Sequence, residues 1–489
     1  GTWLGAQMAA LLLPGVGRTL AQLYGVYITY PDGLVPTGAW LPFLMTVVAA
    51  GLCVLFPLRQ SLNAPMLERK RAGWQQHTVI RRDRLMALTG FLLLTAALVT
   101  GLMTTHLWPA LLGMASLLLG SALLLPLVLR LLISVSQKLV PARNARFSWM
   151  LADSRWLLGP ASVALMAMTL ALVANSGLNT MISSFRQATD DWLGQRLVAD
   201  LYLRGENRGA DLEAWIADTM PELNVTERYR TTLTRPVPGK AQLLVEVVSL
   251  QAGDRFRDSV KLMRGENNAS TRFHNGKGVY ISERAWRIDG WQPGMSLDLC
   301  PGHAELPILG VYRDYGNPKS QWMVSHELFR SCWGEQSASG LAIYGPPDYD
   351  WGRVRLAIAE RFDLDDDEII DQTELRQIGL AVFDRTFVVT RALNTLTLLV
   401  AAIGIFCAVS AIHHHRVGQQ ALLASLGLSR RERGTLLLAQ WGMLGLLCMV
   451  LVWPLATLLA GYLGMVVTPA AFGWSFPLQL DWQHYPVLA

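Results

Sequence analysis

Long apolar runs alternate with short polar segments along much of the chain. A helix that crosses the hydrocarbon layer of a membrane needs about 20 mostly apolar residues, because the layer is roughly 30 Å thick and a helix rises about 1.5 Å per residue. A weaker run, Trp3–Leu23, contains Pro14 and Arg18. The pattern therefore predicts six spans, with this weaker run as a seventh candidate. The six are Trp40–Leu58, Leu85–Met103, Trp108–Leu129, Leu157–Leu178, Ala392–Ile412 and Thr435–Val467.

The interval 188–385 has a different pattern, in which short apolar runs are separated by turn signals. Runs rich in Val, Ile, Leu and Tyr predict strands, and apolar residues at helical spacing predict short helices. We therefore predict a polytopic α-helical membrane protein with one α+β domain outside the bilayer. The predicted strands are Val198–Leu203, Gln242–Leu250, Gly278–Ser282, Ser296–Leu299, Leu306–Val311 and Ile369–Ile370, and the helices are Leu212–Met220, Glu283–Arg287 and Arg353–Phe362.

Two helical stretches join this interval to the spans on either side. Asn179–Trp192 continues the span that ends at Leu178, and Gln372–Arg391 leads into the next one. Continuous helices that leave the bilayer can carry motion between a domain and the membrane. The other interpretation, in which they are merely short linkers, stays open.

Composition agrees with the membrane interpretation. Apolar residues make up 52% of the 489 residues and charged residues only 16%, whereas a soluble domain carries about 25% charged residues. Length alone would suggest roughly three soluble domains, but the apolar runs argue against that count.

The positions of Lys and Arg predict the orientation of the spans, because these residues accumulate in short cytoplasmic loops. Segments 59–84, 130–155 and 413–434 are rich in them, whereas 24–39, 104–107 and 468–489 contain none. Basic and uncharged loops alternate if all seven runs cross the membrane. The basic loops are then cytoplasmic, and 188–385 is extracytoplasmic.

Net charge also separates the two parts of the chain. Residues 188–385 hold 23 basic and 31 acidic residues, a net of −8, and the rest holds 19 basic and 6 acidic residues, a net of +13. The basic part is therefore expected to contact anionic lipid. A nucleic-acid partner is not expected, because the basic residues lie in short loops at the ends of spans.

Few residues suggest chemistry. The Gly-x-x-x-x-Gly-Lys-Ser/Thr phosphate loop is absent from the sequence, so ATP hydrolysis by that route is not expected. His413-His414-His415 point about 100° apart on a helix and do not converge on one metal ion. The acidic run 363–368 lacks the ligand spacing and the glycine of a calcium loop. We expect no cofactor, no metal site and no enzymatic activity.

Five cysteines are distributed between the spans and the α+β interval. Cys53, Cys407 and Cys448 lie in predicted spans and are expected to be free thiols. Cys300 and Cys332 share the extracytoplasmic interval, where oxidation occurs. We predict a disulfide between these two, with a pair of buried thiols as the alternative.

The segment 419–433 predicts a helix–turn–helix at the cytoplasmic surface. A helix can run to Leu426, and Gly427 suits the left-handed position that ends it. Ser429 can cap the next helix, and Glu432 three residues later completes a capping box. The alternative is an ordinary helix on the membrane surface.

This segment resembles the cytoplasmic loop of FtsX-type permeases, the mechanotransmission ABC transporter family that includes the macrolide exporter and the lipoprotein-releasing permeases. The run Ala421–Arg431 is similar to the family pattern ALL-x-x-LG-x-S-x-R before a long apolar span. Ala145–Ala174 resembles the first span of a repeat with its lead-in helix, and Val279–Val311 resembles part of the family's outer domain. The resemblance implies ATPase-coupling residues at Leu422, Leu423, Leu426, Gly427, Leu428, Ser429 and Arg430.

The order of parts is similar to long, ten-span permeases with two repeats, of which this sequence would be a fragment without the final span. The resemblance implies the following domains: the end of the first repeat, with two spans, at 1–58; a linking region with two spans at 59–142; a lead-in helix, span and stalk at 143–187; the extracytoplasmic domain at 188–385; and a stalk, two spans and the coupling loop at 386–489.

The resemblance implies the function of a permease subunit, without its own ATPase motif, in a bacterial inner membrane. A separate ABC ATPase subunit would drive it to export or extract a hydrophobic or lipid-linked substrate. The alternative is a non-transporting transducer that activates an extracytoplasmic enzyme. In that case the resemblance implies an extracytoplasmic partner protein in addition to the ATPase.

Overall fold

The computed structural model describes residues 43–48, 51, 72–139, 145–203, 209–235, 243–251, 260–300, 304–317, 319–334, 338–346, 349–365 and 368–479. The candidate span Trp3–Leu23, most of Trp40–Leu58 and the thiol of Cys53 lie outside these residues. Residues 43–48 are helical. The remaining helices are α1 Ala72–Met103, α2 Leu107–Leu139, α3 Ala145–Arg196, α4 Gly209–Thr219, α5 Ala269–His274, α6 Glu283–Arg287, α7 His326–Trp333, α8 Trp351–Phe362, α9 Gln372–His415, α10 Val417–Ser425, α11 Arg430–Tyr462 and α12 Thr468–Phe472, with a π-helical turn at Leu463–Val467.

Five helices in the described part of the chain are long and apolar enough to cross a membrane. They correspond to five of the six predicted spans, so the prediction of a polytopic α-helical membrane protein is confirmed. Many of their large apolar side chains are exposed, for example Leu102 and Phe406, as expected of surfaces that contact lipid. The five segments are Arg84–Met103, Leu107–Lys138, Ala161–Arg196, Gln372–His414 and Arg430–Phe472.

The chain divides into two compact units. The first contains residues 1–96, 116–176 and 383–456, and the second contains 97–115, 177–382 and 457–489. In the first unit, α2, α3 and α11 bury a shared apolar core that includes Leu129, Leu158 and Leu444. Helices α1 and α2 approach closely at Gly90 and Gly120, where an added Cβ on either residue would lie about 3 Å from the other's carbonyl oxygen. Small residues allow this kind of close contact between membrane helices.

The α+β domain of the second unit contains two sheets. One has the strand order β11-β1-β10-β2, and the other has the order β3-β4-β9-β6-β8-β5, with β7 added at β8. The β4–β9 and β6–β8 pairs are parallel, and the other pairs are antiparallel. The strands are β1 Leu201–Leu203, β2 Asn224–Arg228, β3 Arg230–Arg235, β4 Leu243–Leu250, β5 Leu262–Gly265, β6 Val279–Ser282, β7 Ser296–Leu297, β8 Leu306–Tyr312, β9 Ser320–Ser325, β10 Gly340–Tyr344 and β11 Ile369–Asp371.

The core of this domain lies where both sheets bury β-branched and aromatic side chains. Val245, Ile281 and Ile343 are fully buried, as is Trp322 on β9. Helices α4, α7 and α8 bury one apolar side each, and Leu212, Phe329 and Ile358 join the same core. The predicted α+β domain is therefore confirmed, although two predicted strands are shorter by two or three residues: Val198–Leu203 is reduced to Leu201–Leu203, and Ser296–Leu299 to Ser296–Leu297.

Candidate functional site

Gly427 ends α10 in the conformation that its sequence predicts. Its φ is +90°, a value that favours glycine because it has no Cβ. The Leu428 N–H donates to the Leu423 carbonyl over 3.2 Å, and the Gly427 N–H donates to Ala424 over 3.1 Å. These two bonds form a Schellman motif. The chain therefore ends α10 and begins α11 without a stretch of irregular loop between them.

Ser429 begins α11 with the predicted capping box. The Glu432 N–H donates to Ser429 Oγ over 3.3 Å, and the Ser429 N–H donates to Glu432 Oε2 over 3.0 Å. Arg433 Nη1 also donates to the Gln420 carbonyl over 3.0 Å, which joins α11 to α10. The turn is thus fixed on both sides, and its two helices are connected directly.

The leucines that the resemblance singles out fall into two groups. Leu422 is 64% exposed and Leu426 72% exposed. They are four residues apart and lie on one side of α10. Leu423 and Leu428 are half-buried, so they are less available to a partner, whereas Gly427, Ser429 and Arg430 are exposed.

A buried polar cluster holds the other end of α10. Arg416, which precedes α10, donates from Nη1 and Nη2 to the two carboxylate oxygens of Asp153 on α3, each over 2.9 Å. Gln440 Nε2 on α11 donates to the same carboxylate over 2.8 Å. The Arg416 guanidinium also lies 4.6 Å from the Trp156 ring centroid. Arg416 and Gln440 are both buried, so the cluster connects α10 to α3 and α11 where water is largely excluded.

Sequence reasoning missed this cluster. Arg416 entered the sequence analysis only as one of the basic residues of segment 413–434, and neither Asp153 nor Gln440 was predicted to have a role. The sequence does contain a signal for Asp153, because an isolated acidic residue beside a predicted span is usually paired with a basic residue. The signal does not say which of several nearby arginines is that partner.

In the second unit, a buried carboxylate connects the α+β domain to the chain that follows α12. Glu283 on α6 is fully buried. It accepts from the Ser475 N–H over 2.9 Å, from Ser475 Oγ over 2.7 Å and from Arg287 Nε over 2.7 Å. Arg284 Nη1 donates to the Phe472 carbonyl over 2.8 Å. Residues 472–475 are therefore attached to α6 by three hydrogen bonds, and Arg287 supports the Glu283 carboxylate from within α6.

An aromatic cluster packs beside these contacts. The Phe185 ring on α3 stacks on Trp474 and Phe476, with centroids 5.0 and 5.2 Å apart. Tyr315 meets Phe185 and Trp474 edge to face. The segment after α12 thus packs on the stalk part of α3 as well as on α6.

The two stalk helices are joined by an ion pair in the same unit. Arg376 Nε on α9 donates to Asp190 Oδ1 on α3 over 2.6 Å. Leu193 lies opposite Gly379, where an added Cβ would come within 3.0 Å of its side chain. The predicted helical continuations are present: α3 is continuous from Ala145 to Arg196, and α9 from Gln372 to His415.

Cys300 and Cys332 are joined by a disulfide in the structure, with Cα atoms 5.5 Å apart. Cys300 precedes β8, and Cys332 lies on α7. The bond therefore connects a loop to a helix within the apolar core of the α+β domain. Cys407 and Cys448, both in apolar helices, are free thiols.

Two parts of the chain are similar to known permease sequences and structures. Residues 391–489 match the FtsX-like permease C-terminal family model. An uncharacterized ABC transporter permease protein of Mycobacterium tuberculosis is 22% identical over 343 residues, which cover 66% of this chain and 39% of that protein. The chain thus spans about two fifths of the length of that relative.

Two solved extracytoplasmic domains are similar to part of the chain. The periplasmic region of MacB from Actinobacillus actinomycetemcomitans is 10% identical, with a TM-score of 0.27, over 36% of this chain and 90% of that one. The extracellular domain of the noncanonic ABC-type transporter YknZ from Gram-positive bacteria is 11% identical, with a TM-score of 0.24, over 35% of this chain and 98% of that one.

Proposed function

Because residues 391–489 carry an FtsX-like permease C-terminal domain, we propose that this chain is the permease subunit of an ABC complex and that residues 417–430 couple it to a separate ATPase subunit. The observation that carries the proposal is the pair of exposed leucines, Leu422 and Leu426, at a turn fixed on both sides. Apolar side chains on one side of a short helix suit a groove on a protein partner.

The contacts around α10 support a role in transmitting motion. A force on α10 reaches α3 through the Arg416–Asp153 pair and α11 through Gln440 and the Arg433–Gln420 bond. Both α3 and α11 are long continuous helices. A stiff path of this kind would move the membrane helices together when the ATPase closes.

The contacts of the second unit extend the same path. The chain that leaves α11 through the π-helical turn and α12 reaches Ser475, which bonds Glu283 of the α+β domain. The stalk part of α3 packs on the same segment. We infer that ATP hydrolysis on one side of the membrane drives motion of the α+β domain on the other, for export or extraction of a hydrophobic or lipid-linked substrate.

A charge placed in the leucine pair tests the coupling. The full-length permease is co-expressed with its ATPase subunit as wild type, Leu426→Asp or Ala424→Asp. Ala424 is also exposed but lies on the opposite side of α10 by helical periodicity, so it carries the same charge away from the leucines. We expect Leu426→Asp to insert normally, to lose about tenfold or more in ATPase binding, and to abolish the stimulation of hydrolysis, with Ala424→Asp close to wild type.

The outcomes separate the alternatives. Normal binding and hydrolysis by Leu426→Asp would remove the leucine pair from the coupling site, and equal loss in both variants would argue against a contact by that side of α10. Substrate movement in vesicles then distinguishes a transporter from a transducer that only activates an extracytoplasmic enzyme, because a transducer would couple to the ATPase without moving a substrate.

A further inference from the structure

A cavity of about 570 Å³ lies between the two sheets of the α+β domain. The end of α3 contributes Trp192 and Leu193 to its wall, one sheet contributes Tyr202, and the other contributes Val248 and Met323. Small-molecule sites in proteins have volumes of about 300–1,000 Å³ and walls that are mostly apolar or aromatic with a few polar groups. The size and the wall of this cavity are therefore those of a ligand site.

The carboxylates of the wall already have partners. Asp314 pairs with Arg196 Nη2 at 3.6 Å. Glu246 pairs with Arg230 Nη1 at 3.2 Å and accepts from Gln321 Nε2 over 2.6 Å.

The third carboxylate, Glu227, accepts from the Tyr229 hydroxyl and pairs with Arg330 at 3.4 Å. Among the described residues of the wall, no carboxylate is left for a cationic ligand.

Arg228, unlike the three carboxylates of the wall, is a charged group of the cavity without an ion-pair partner among the described residues. It lines the cavity and is exposed, and within the described ranges no carboxylate lies within ion-pair distance of it. Its guanidinium lies 5.8 Å from the Tyr202 ring centroid. Lys319, also exposed, lines the same cavity.

Two polar atoms of the wall are buried without a hydrogen-bond partner among the residues that the structure describes. They are Oγ1 of Thr226, a residue only 4% exposed, and Oε1 of Gln251. Both residues line the cavity. Buried polar atoms are normally paired, and an exception calls for an explanation. A ligand with polar atoms at one end would supply the partner that Thr226 lacks.

We propose that this cavity binds a small amphipathic anion, whose acidic group pairs with Arg228 and whose apolar part lies against Tyr202, Val248 and Met323. This site goes beyond the proposed coupling function and does not depend on it, because binding is measured without ATP or the ATPase. Failure of one proposal therefore leaves the other standing.

Three ligands with eight carbon atoms each test the proposal: octanoate, octanol and octylammonium. Each is titrated by calorimetry into the full-length chain in nanodiscs of zwitterionic lipid, and the heat from empty nanodiscs is subtracted. We expect octanoate to bind, octanol to bind at least tenfold more weakly, and octylammonium not to bind. Binding of octylammonium as tight as that of octanoate, or no binding of octanoate, would overturn the proposal.

Two variants locate the site. Arg228→Gln should weaken octanoate binding by about tenfold or more, since a hydrogen bond to a charged group is worth at least that much, whereas Arg353→Gln should not change it. Arg353 is an exposed arginine of the same domain outside the cavity. Thr226→Val, which keeps the shape of the side chain, should weaken binding severalfold without loss of folding. Unchanged affinity in both Arg228→Gln and Thr226→Val would exclude this cavity as the site.

Discussion

Ser475 donates both its N–H and its hydroxyl to the carboxylate of Glu283, a residue 192 positions away in the sequence. Because Glu283 is fully buried, these bonds are shielded from water, and Arg287 offsets the charge. A buried carboxylate without such partners would be costly. The pair is therefore a specific attachment of the segment after α12 to the α+β domain.

Removal of the Ser475 hydroxyl should destabilise the protein less than removal of the Glu283 carboxylate. Ser475→Ala keeps the backbone bond and should cost about 1 kcal/mol of unfolding free energy, whereas Glu283→Ala leaves several donors unpaired and should cost about 2–4 kcal/mol. Denaturant unfolding of the full-length chain in detergent measures both values. Ser331→Ala, which removes a hydroxyl bond within α7, is the control. Equal effects of all three substitutions would contradict the role of Glu283.

The Arg416–Asp153 pair should be the most sensitive polar contact of the first unit. Asp153→Asn and Arg416→Gln each break a buried bidentate pair and should cost about 3–5 kcal/mol, while the double variant should cost less than the sum of the two. Arg416→Lys should be intermediate, because lysine cannot form two parallel bonds to a carboxylate. Unfolding and ATPase stimulation are the two readouts.

The control for this cycle is Arg155→Lys, because Arg155 makes one exposed bond to Gln137 over 3.3 Å. Strict additivity of the two single substitutions would mean that Arg416 and Asp153 do not interact energetically in solution.

The Cys300–Cys332 bond should contribute to the stability of the α+β domain. With a sequence separation of 32 residues, the chain-entropy estimate is about 3–4 kcal/mol. We expect a reductant to lower the melting temperature of the wild type but not of the Cys300→Ser/Cys332→Ser variant, with Cys407→Ser behaving as the wild type. Detection of free thiols at both positions in oxidised protein by mass spectrometry would contradict the bond.

His326 should make the stability of the domain depend on pH. Burial lowers the pKa of His326 below its ordinary value, and the nearby Arg330 lowers it further, although Glu227 and Glu327 oppose this. The ring packs on Tyr229, 5.1 Å away between centroids. Since the unfolded chain then binds the proton more readily than the folded one, stability falls as the pH drops below about 6.5.

Comparison of the wild type with His326→Gln isolates this effect, because the other titrating groups are shared. The stability of the variant relative to the wild type should be constant above about pH 7.5 and should rise as the pH decreases toward 5. Urea midpoints across this range measure it. A difference that does not vary with pH would show that His326 titrates normally in the folded protein.

The long helices and the turn within 419–433 could be predicted from the sequence because the residues that form them are close together in the chain. A run such as Leu85–Met103 needs only its own residues to be recognised, and Gly427, Ser429 and Glu432 lie within six residues. The turn and cap geometry agrees with that prediction in detail. The sequence could not predict which leucines are exposed, because their exposure depends on how α10 packs.

The strands of the two sheets were less predictable than the helices, because some of them lack a local sequence pattern. Strand β9, Ser320–Ser325, is buried on both faces, so it does not alternate between apolar and polar residues. Its polar residues Ser320, Gln321 and Ser325 also leave no apolar run long enough to predict a buried strand. Strand β2, Asn224–Arg228, is polar and is held by its register with β10. The partner of Asp153 lies 263 residues away, and such a pairing is decided by tertiary structure alone.

Gly90 and Gly120 bring the backbones of α1 and α2 together, so that a Cβ on either glycine would meet the carbonyl oxygen of the other as well as leucine side chains of the facing helix. The leucine side chains can change rotamer but a backbone carbonyl oxygen cannot, so this part of the contact cannot make room by repacking. The helical hairpin of α1 and α2 should consequently tolerate changes on its outer surface but reject even a single methyl group at this crossing point, where Gly→Ala at either position would wedge the two helices apart.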